Sequence, residues 1–133
     1  QDSAGVEIFV VRQDDKVGIL TPAPSTALHV TGVITETSTE KIKKNITNLE
    51  NVLPAIMQLQ AVKYDYKDPD VGGGLNNYGM IAEDVEKVLP NLVTYDVDGA
   101  PTGLQYSKFT AVLLEAIKEQ QTQINELKSQ ILN

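Results

Sequence analysis

Ser38 and Lys43 stand five residues apart in the stretch Thr37-Ser38-Thr39-Glu40-Lys41-Ile42-Lys43-Lys44-Asn45-Ile46. A serine and a lysine are sufficient for peptide cleavage. The hydroxyl becomes a nucleophile at neutral pH only when a base takes its proton, and a lysine that is desolvated or set among other cations gives up its own proton and serves. Lys41 and Lys44 supply such cationic neighbours. The same stretch also reads as a capping box, with Thr37 as N-cap and Glu40 three residues on, opening a helix.

Other routes to catalysis are thin. The chain has no cysteine, which removes disulfides, thiolate metal sites and a cysteine nucleophile together. One histidine, His29, leaves a single candidate base for a serine triad; it lies in the alternating segment Ala27-Leu28-His29-Val30 and reads as a surface or stalk residue. Gly72-Gly73-Gly74 lacks the following Gly-Lys-Ser/Thr of a phosphate cradle and has an acidic flank, so it reads as a turn. Glu83, Asp84 and Glu86 invite a paired-carboxylate reading, but they fall in the first turns of an expected helix, where carboxylates favour the helix dipole. A net charge of -7, from 11 Lys+Arg against 18 Asp+Glu, excludes a generic phosphate-backbone binder. No apolar run approaches the ~20 residues that span a bilayer, so a soluble chain with no membrane partner is expected.

The elements that must position the serine and lysine follow from periodicity. Residues 1 to about 36 read as short strands: Val6–Val11, Lys16–Leu20, Ala27–Val30 and Val33-Ile34, punctuated by Asp14-Asp15 and Pro22-Ala23-Pro24-Ser25. One copy has too little apolar surface for a closed core, whereas three copies around one axis can share one. Thr47 to Leu59 has a second capping box, Thr47 to Glu50, and Leu49, Val52, Leu53, Ile56 and Met57 at helical spacing. Pro54 either bends that helix or makes it begin nearby. Val62–Tyr66 alternates as a strand, Asp68–Gly74 is a loop, Gly79–Ile81 a short strand, and Ala82–Leu89 a helix stopped by Pro90. Asp98-Gly99 is a hairpin turn between strands at Leu92–Asp96 and Thr102–Tyr106.

The last helix, expected over Ser107–Asn133, changes character along its length. Phe109, Val112, Leu113, Ala116 and Ile117 make a wide stripe suited to packing on a body. Beyond it the stripe narrows to a coiled-coil seam, with Ile117, Ile124 and Ile131 seven apart and Leu113, Gln120 and Leu127 between them. Those six residues are the expected oligomer interface, and the seam alone leaves the number of strands open. At ~1.5 Å per residue the helix would run ~40 Å.

From Ser38 onward the sequence resembles the C-terminal intramolecular chaperone domain of bacteriophage tail spikes, tail fibres and neck appendages, the endosialidase-type self-cleaving serine-lysine peptidases. The resemblance rests on four blocks in order. They are the serine-to-lysine spacing followed by Lys44-Asn45-Ile46; Leu59-Gln60-Ala61-Val62-Lys63-Tyr64-Asp65-Tyr66-Lys67; Tyr78-Gly79-Met80-Ile81-Ala82-Glu83-Asp84-Val85-Glu86-Lys87-Val88-Leu89-Pro90-Asn91-Leu92-Val93; and Leu104-Gln105-Tyr106-Ser107-Lys108-Phe109 leading into Leu113–Gln120. Two positions depart from the family pattern: Thr39 stands where aspartate is usual, and Ala82-Glu83-Asp84 replaces alanine-glutamine-glutamate.

The resemblance implies an α+β fold, with a β-rich stalk end over 1–37, a mixed body over 38–106 and a C-terminal helix over 107–133 that forms a trimeric coiled coil. It implies a trimerisation and folding chaperone for the upstream fibre or appendage shaft of the same polypeptide. Ser38 would attack the carbonyl of Thr37 with Lys43 as base, in a single-turnover self-cleavage that needs neither metal nor organic cofactor. The place of action would be a virion precursor in the host cytoplasm, with release after the cut. Two alternatives stay open: a structural trimerisation cap of a fibre or adhesin that never cleaves, and a membrane-tethered relative with the same type of domain.

Overall fold

The computed structural model describes residues 8–68 and 74–133 and has mixed α and β content: three small sheets, short helices and one long C-terminal helix. Residues 69–73, most of the expected Asp68–Gly74 loop, and Val6 and Glu7 of the first expected strand lie outside the described residues. The chain divides into two compact units. One holds the residues up to Ile46 together with those between Asp65 and Asn77, and the other holds Thr47–Tyr64 and Tyr78–Asn133.

The first unit contains a three-stranded sheet of β1 (Phe9–Val11), β2 (Val17–Ile19) and β3 (Leu28–Val30). β1 and β2 pair antiparallel with Phe9 opposite Ile19 and Val11 opposite Val17. Their turn carries Asp15 at φ 59° and is closed by Asp14, which takes Lys16 at 3.0 Å and Arg12 at 3.6 Å. β2 and β3 run parallel, with Val17 opposite Leu28 and Ile19 opposite Val30. The connection between them folds back on the sheet: Pro24 is buried, and a Cβ at Gly18 would collide with the Thr21 carbonyl oxygen. His29 Nδ1 accepts the backbone N–H of Ser25 at 3.3 Å, so the lone histidine closes this turn. Val33 and Ile34 form no strand; both are exposed beyond Gly32, whose φ of 148° breaks the extended run.

In the second unit α1 is only Leu53–Ile56, with Pro54 in its first turn, the outcome expected where proline sets a helix start. The expected capping box at Thr47 does not form. The N–H groups of Val52 and Leu53 instead donate to the Glu119 carboxylate at 3.0 and 2.8 Å. β4 (Val62–Tyr64) pairs with β5, which covers Asn77–Gly79 and so lies two residues before the expected Gly79–Ile81. The shift has a cause: the Met80 N–H is taken out of the ladder by Tyr106 Oη at 3.1 Å. A Cβ on Gly79 would stand 2.7 Å from that oxygen, so glycine permits the close approach.

α2 spans Ala82–Glu86, and Pro90 opens a 3-10 helix over Pro90–Leu92. β6 (Val93–Tyr95) and β7 (Pro101–Leu104) form the expected hairpin, with Gly99 at φ 83° and Asp96 Oδ1 accepting the N–H groups of Asp98 and Ala100 at 2.9 Å. α3 then runs 27 residues, Tyr106–Leu132. Its buried Phe109, Val112 and Ala116 join Val52, Val85, Leu92 and Val93 in the core, while α1 packs on α3 and α2 on the hairpin. Leu113 and Ile117, expected to share that packing, are exposed, because three residues four or fewer apart already cover the face that meets the body.

Candidate functional site

Ser38 and Lys43 flank one turn of 3-10 helix, Glu40–Ile42. The capping residue is Thr39, two places after the expected Thr37: its Oγ1 accepts the Lys41 N–H at 3.4 Å. The turn closes with Ile42 N–H to the Thr39 carbonyl at 3.3 Å and Lys43 N–H to the Glu40 carbonyl at 3.0 Å. It propagates no further because Ile42 alone is apolar within Glu40–Lys44, leaving no stripe to bury. A single turn doubles the chain back, and the side chains at its two ends meet: Lys43 Nζ donates to Ser38 Oγ at 2.6 Å. Both residues are exposed.

Chemically this is a nucleophile and a candidate base in direct hydrogen-bond contact. Thr39 fills the place an aspartate would take at this cap, since Thr and Asp side chains both accept from the N–H two residues on. Lys41 lies on this turn and Lys44 beyond it; both are exposed, and the lysine that contacts Ser38 is Lys43.

The other candidates are spoken for. Asp84 pairs with Lys87 at 2.8 Å, and burial together with a hydrogen bond to Glu86 raises the Tyr95 phenol above its usual range, so the α2 carboxylates form no paired site. Among the described residues no group of three or more histidine, aspartate or glutamate side chains could hold a metal ion, and no helix is long and apolar enough to cross a membrane.

Along α3 the six seam residues are placed on open surface. Ile117 is 63%, Leu127 57% and Ile131 82% exposed, with Leu113, Gln120 and Ile124 also open. One heptad upstream the same face continues through Thr110 and Tyr106, which line an apolar groove of about 410 Å³ with Ile56, Leu59, Met80 and Leu113. The heptad seam was legible, but this groove was not, because its walls come from three separated segments.

The described residues thus comprise a mixed α/β body with a long helix that has an open heptad face and, in the other unit, a serine in direct hydrogen-bond contact with a lysine. Residues 38–94 match the model of a peptidase family described as chaperone of endosialidase, and this part of the chain belongs to that family. The chain is also similar to the long tail fiber protein Gp37 of Salmonella phage S16, at 34% identity over 100 residues. That match covers 71% of this chain and spans 13% of the length of the fibre protein.

Proposed function

We propose that the chain is the end of a phage fibre, spike or appendage protein in which residues 38–133 are an assembly chaperone that trimerises and then cuts itself from the shaft between Thr37 and Ser38. The observation that carries the cleavage is the 2.6 Å hydrogen bond between Lys43 Nζ and Ser38 Oγ. Family membership over 38–94 and likeness to a tail fibre protein support the setting.

In this reading neutral Lys43 takes the hydroxyl proton across the same contact, with the proton now travelling from oxygen to nitrogen. Ser38 Oγ attacks the Thr37 carbonyl carbon, and the Thr37–Ser38 C–N bond breaks as the Ser38 nitrogen takes a proton from the Lys43 ammonium. Thr37 is then an ester on Ser38 Oγ. Water hydrolyses it, leaving a Thr37 carboxylate, a free Ser38 amine and the restored hydroxyl. No metal, redox partner or co-substrate besides water enters the balance.

Trimerisation is supported by the open seam, since Ile117, Ile124 and Ile131 are exposed large apolar side chains in one heptad line. Three joined copies would hold the shaft ends at high effective concentration, offsetting much of the entropic cost of starting an intertwined β structure. The reading is tested by light scattering and intact mass: a trimer that releases a fragment beginning at Ser38, with no release from Ser38→Ala, is the expected result. A second reading, a cap that trimerises without cutting, is favoured by Thr39 at the position where the family carries aspartate; a trimer that keeps its full mass would establish it.

A further inference from the structure

Residues 47–59, which contain α1, lie against α3 with few contacts to hold them. Val52 is buried and Leu53, Ile56 and Leu59 are partly so, while Leu49 and Met57 are exposed. An open groove of about 380 Å³ runs between residues 47–50 and Ala111 and Leu114 of α3, and another of about 500 Å³ between Pro54 and Thr122. α1 itself is four residues long, too short to persist without tertiary support. Among the described residues the hydrogen bonds of this segment are local, such as Ile56 to Val52, Met57 to Leu53 and Gln58 to Pro54, except where the N–H groups of Val52 and Leu53 reach the Glu119 carboxylate. Asn51, at φ 56°, takes the left-handed conformation that asparagine tolerates, and the two N–H groups that follow it converge on that carboxylate.

We propose that residues 47–59 are a strap latched to α3 by the Glu119 carboxylate, and that the strap opens as one local unit when that carboxylate is protonated or removed while the rest of the body stays folded. The strap works in this way whether or not the chain cleaves itself. Charge explains why the latch responds to pH. The carboxylates of Glu50, Glu115 and Glu126 line the same groove as Glu119, and the nearby Lys118 is taken by Glu115 at 2.8 Å. Glu119 is therefore kept ionised among like charges by the strap's own N–H groups, that of Leu53 foremost, which hold its carboxyl below the ordinary value of 4.5. With the folded-state value depressed, the latch is complete above the ordinary value and is lost as pH falls through the folded one. Opening would withdraw Ile56 and Leu59 from the apolar groove that they form with Met80, Phe109 and Leu113, and would uncover Val52. The latch thus ties access to that groove to the protonation of one side chain.

Hydrogen exchange read by mass spectrometry, on full-length chain kept whole by Ser38→Ala, tests the strap. At neutral pH Glu119→Gln, which has a single acceptor oxygen and no charge, should lower the protection of the amides at 52–59 roughly tenfold, as loss of a charge-assisted hydrogen bond implies, and leave those at 109–116 unchanged. The chain with Glu119 intact should show the same local loss as pH falls below 4.5, once intrinsic exchange rates are allowed for. Glu115→Gln removes a carboxylate of the same groove that bonds Lys118 and not the strap, and should change neither set of amides at neutral pH. Protection at 52–59 that is unchanged in Glu119→Gln, or unchanged in acid, would overturn the latch. Simultaneous loss at 52–59 and 109–116, in the variant or in the acidified chain, would make Glu119 part of one cooperative body and overturn the strap.

Discussion

Glu119, at the middle of α3, caps a helix 66 residues earlier in the chain, its Oε2 accepting the Leu53 N–H at 2.8 Å and its Oε1 the Val52 N–H at 3.0 Å. Helix starts leave N–H groups without partners, and a carboxylate is a strong acceptor for them. The same bonds, that to Leu53 foremost and then that to Val52, lower the carboxyl below its ordinary value of 4.5. A group whose folded-state value is depressed contributes stability above its unfolded value, and that contribution disappears as pH falls through the folded one. The melting temperature should therefore drop as pH falls below about 4.5. Glu119→Gln should melt lower than the parent at neutral pH and lose part of this acid sensitivity, as followed by circular dichroism across a pH series.

Cleavage through Ser38 predicts an ester that can be intercepted. Hydroxylamine added during cleavage should raise the rate of release and leave a hydroxamate at Thr37 in place of a carboxylate, read by mass spectrometry. Ser38→Ala should abolish release, and Lys43→Arg should nearly abolish it because a guanidinium stays protonated. Lys41→Gln or Lys44→Gln should only slow it. Cutting at another bond, or in Ser38→Ala, would refute the pair.

The cap at Thr39 predicts a graded response at that position. Thr39→Asp preserves a side-chain acceptor for the Lys41 N–H and should release at the parental rate or faster. Thr39→Val removes the acceptor, an effect of about 1 kcal/mol at a helix start, and should slow release several-fold by loosening the turn that holds Ser38 and Lys43 together. Equal rates for the two variants would mean that the turn does not set the contact.

Ile124→Asp should convert the proposed trimer to monomer, because three carboxylates brought to one axis would cost about 3 kcal/mol or more in desolvation and repulsion. The body should survive, since Ile124 is not among its core residues, and circular dichroism would report the remaining helix. If the cleavage site is completed by packing between copies, this variant should also stay uncut.

Much of this architecture follows from local sequence. The wide stripe of Phe109, Val112 and Ala116 and the Asp98-Gly99 turn specify α3 and its preceding hairpin, because their signals lie within a few residues of one another. The serine-to-lysine spacing likewise pointed to a pair that one turn brings together. What was illegible came from distant partners. The α1 start is satisfied by Glu119 and not by Thr47, β5 is displaced by Tyr106, and Thr39 takes the cap from Thr37 where the turn is too short to need the box. Val33-Ile34 had the composition of a strand but pairs with none of the strands among the described residues.

Residues 31–39 contain neither helix nor strand and are exposed throughout, and the Thr37–Ser38 bond lies in that stretch. Breaking it would leave every strand and helix of the chain whole. The two products would lose only their covalent tether, and with it the high local concentration that a tether enforces. Dilution then opposes their return, so a cut at this place would act as a ratchet: it would convert reversible folding of the shaft into a one-way step and leave the shaft stable by its barrier to unfolding, without its chaperone to guide it back.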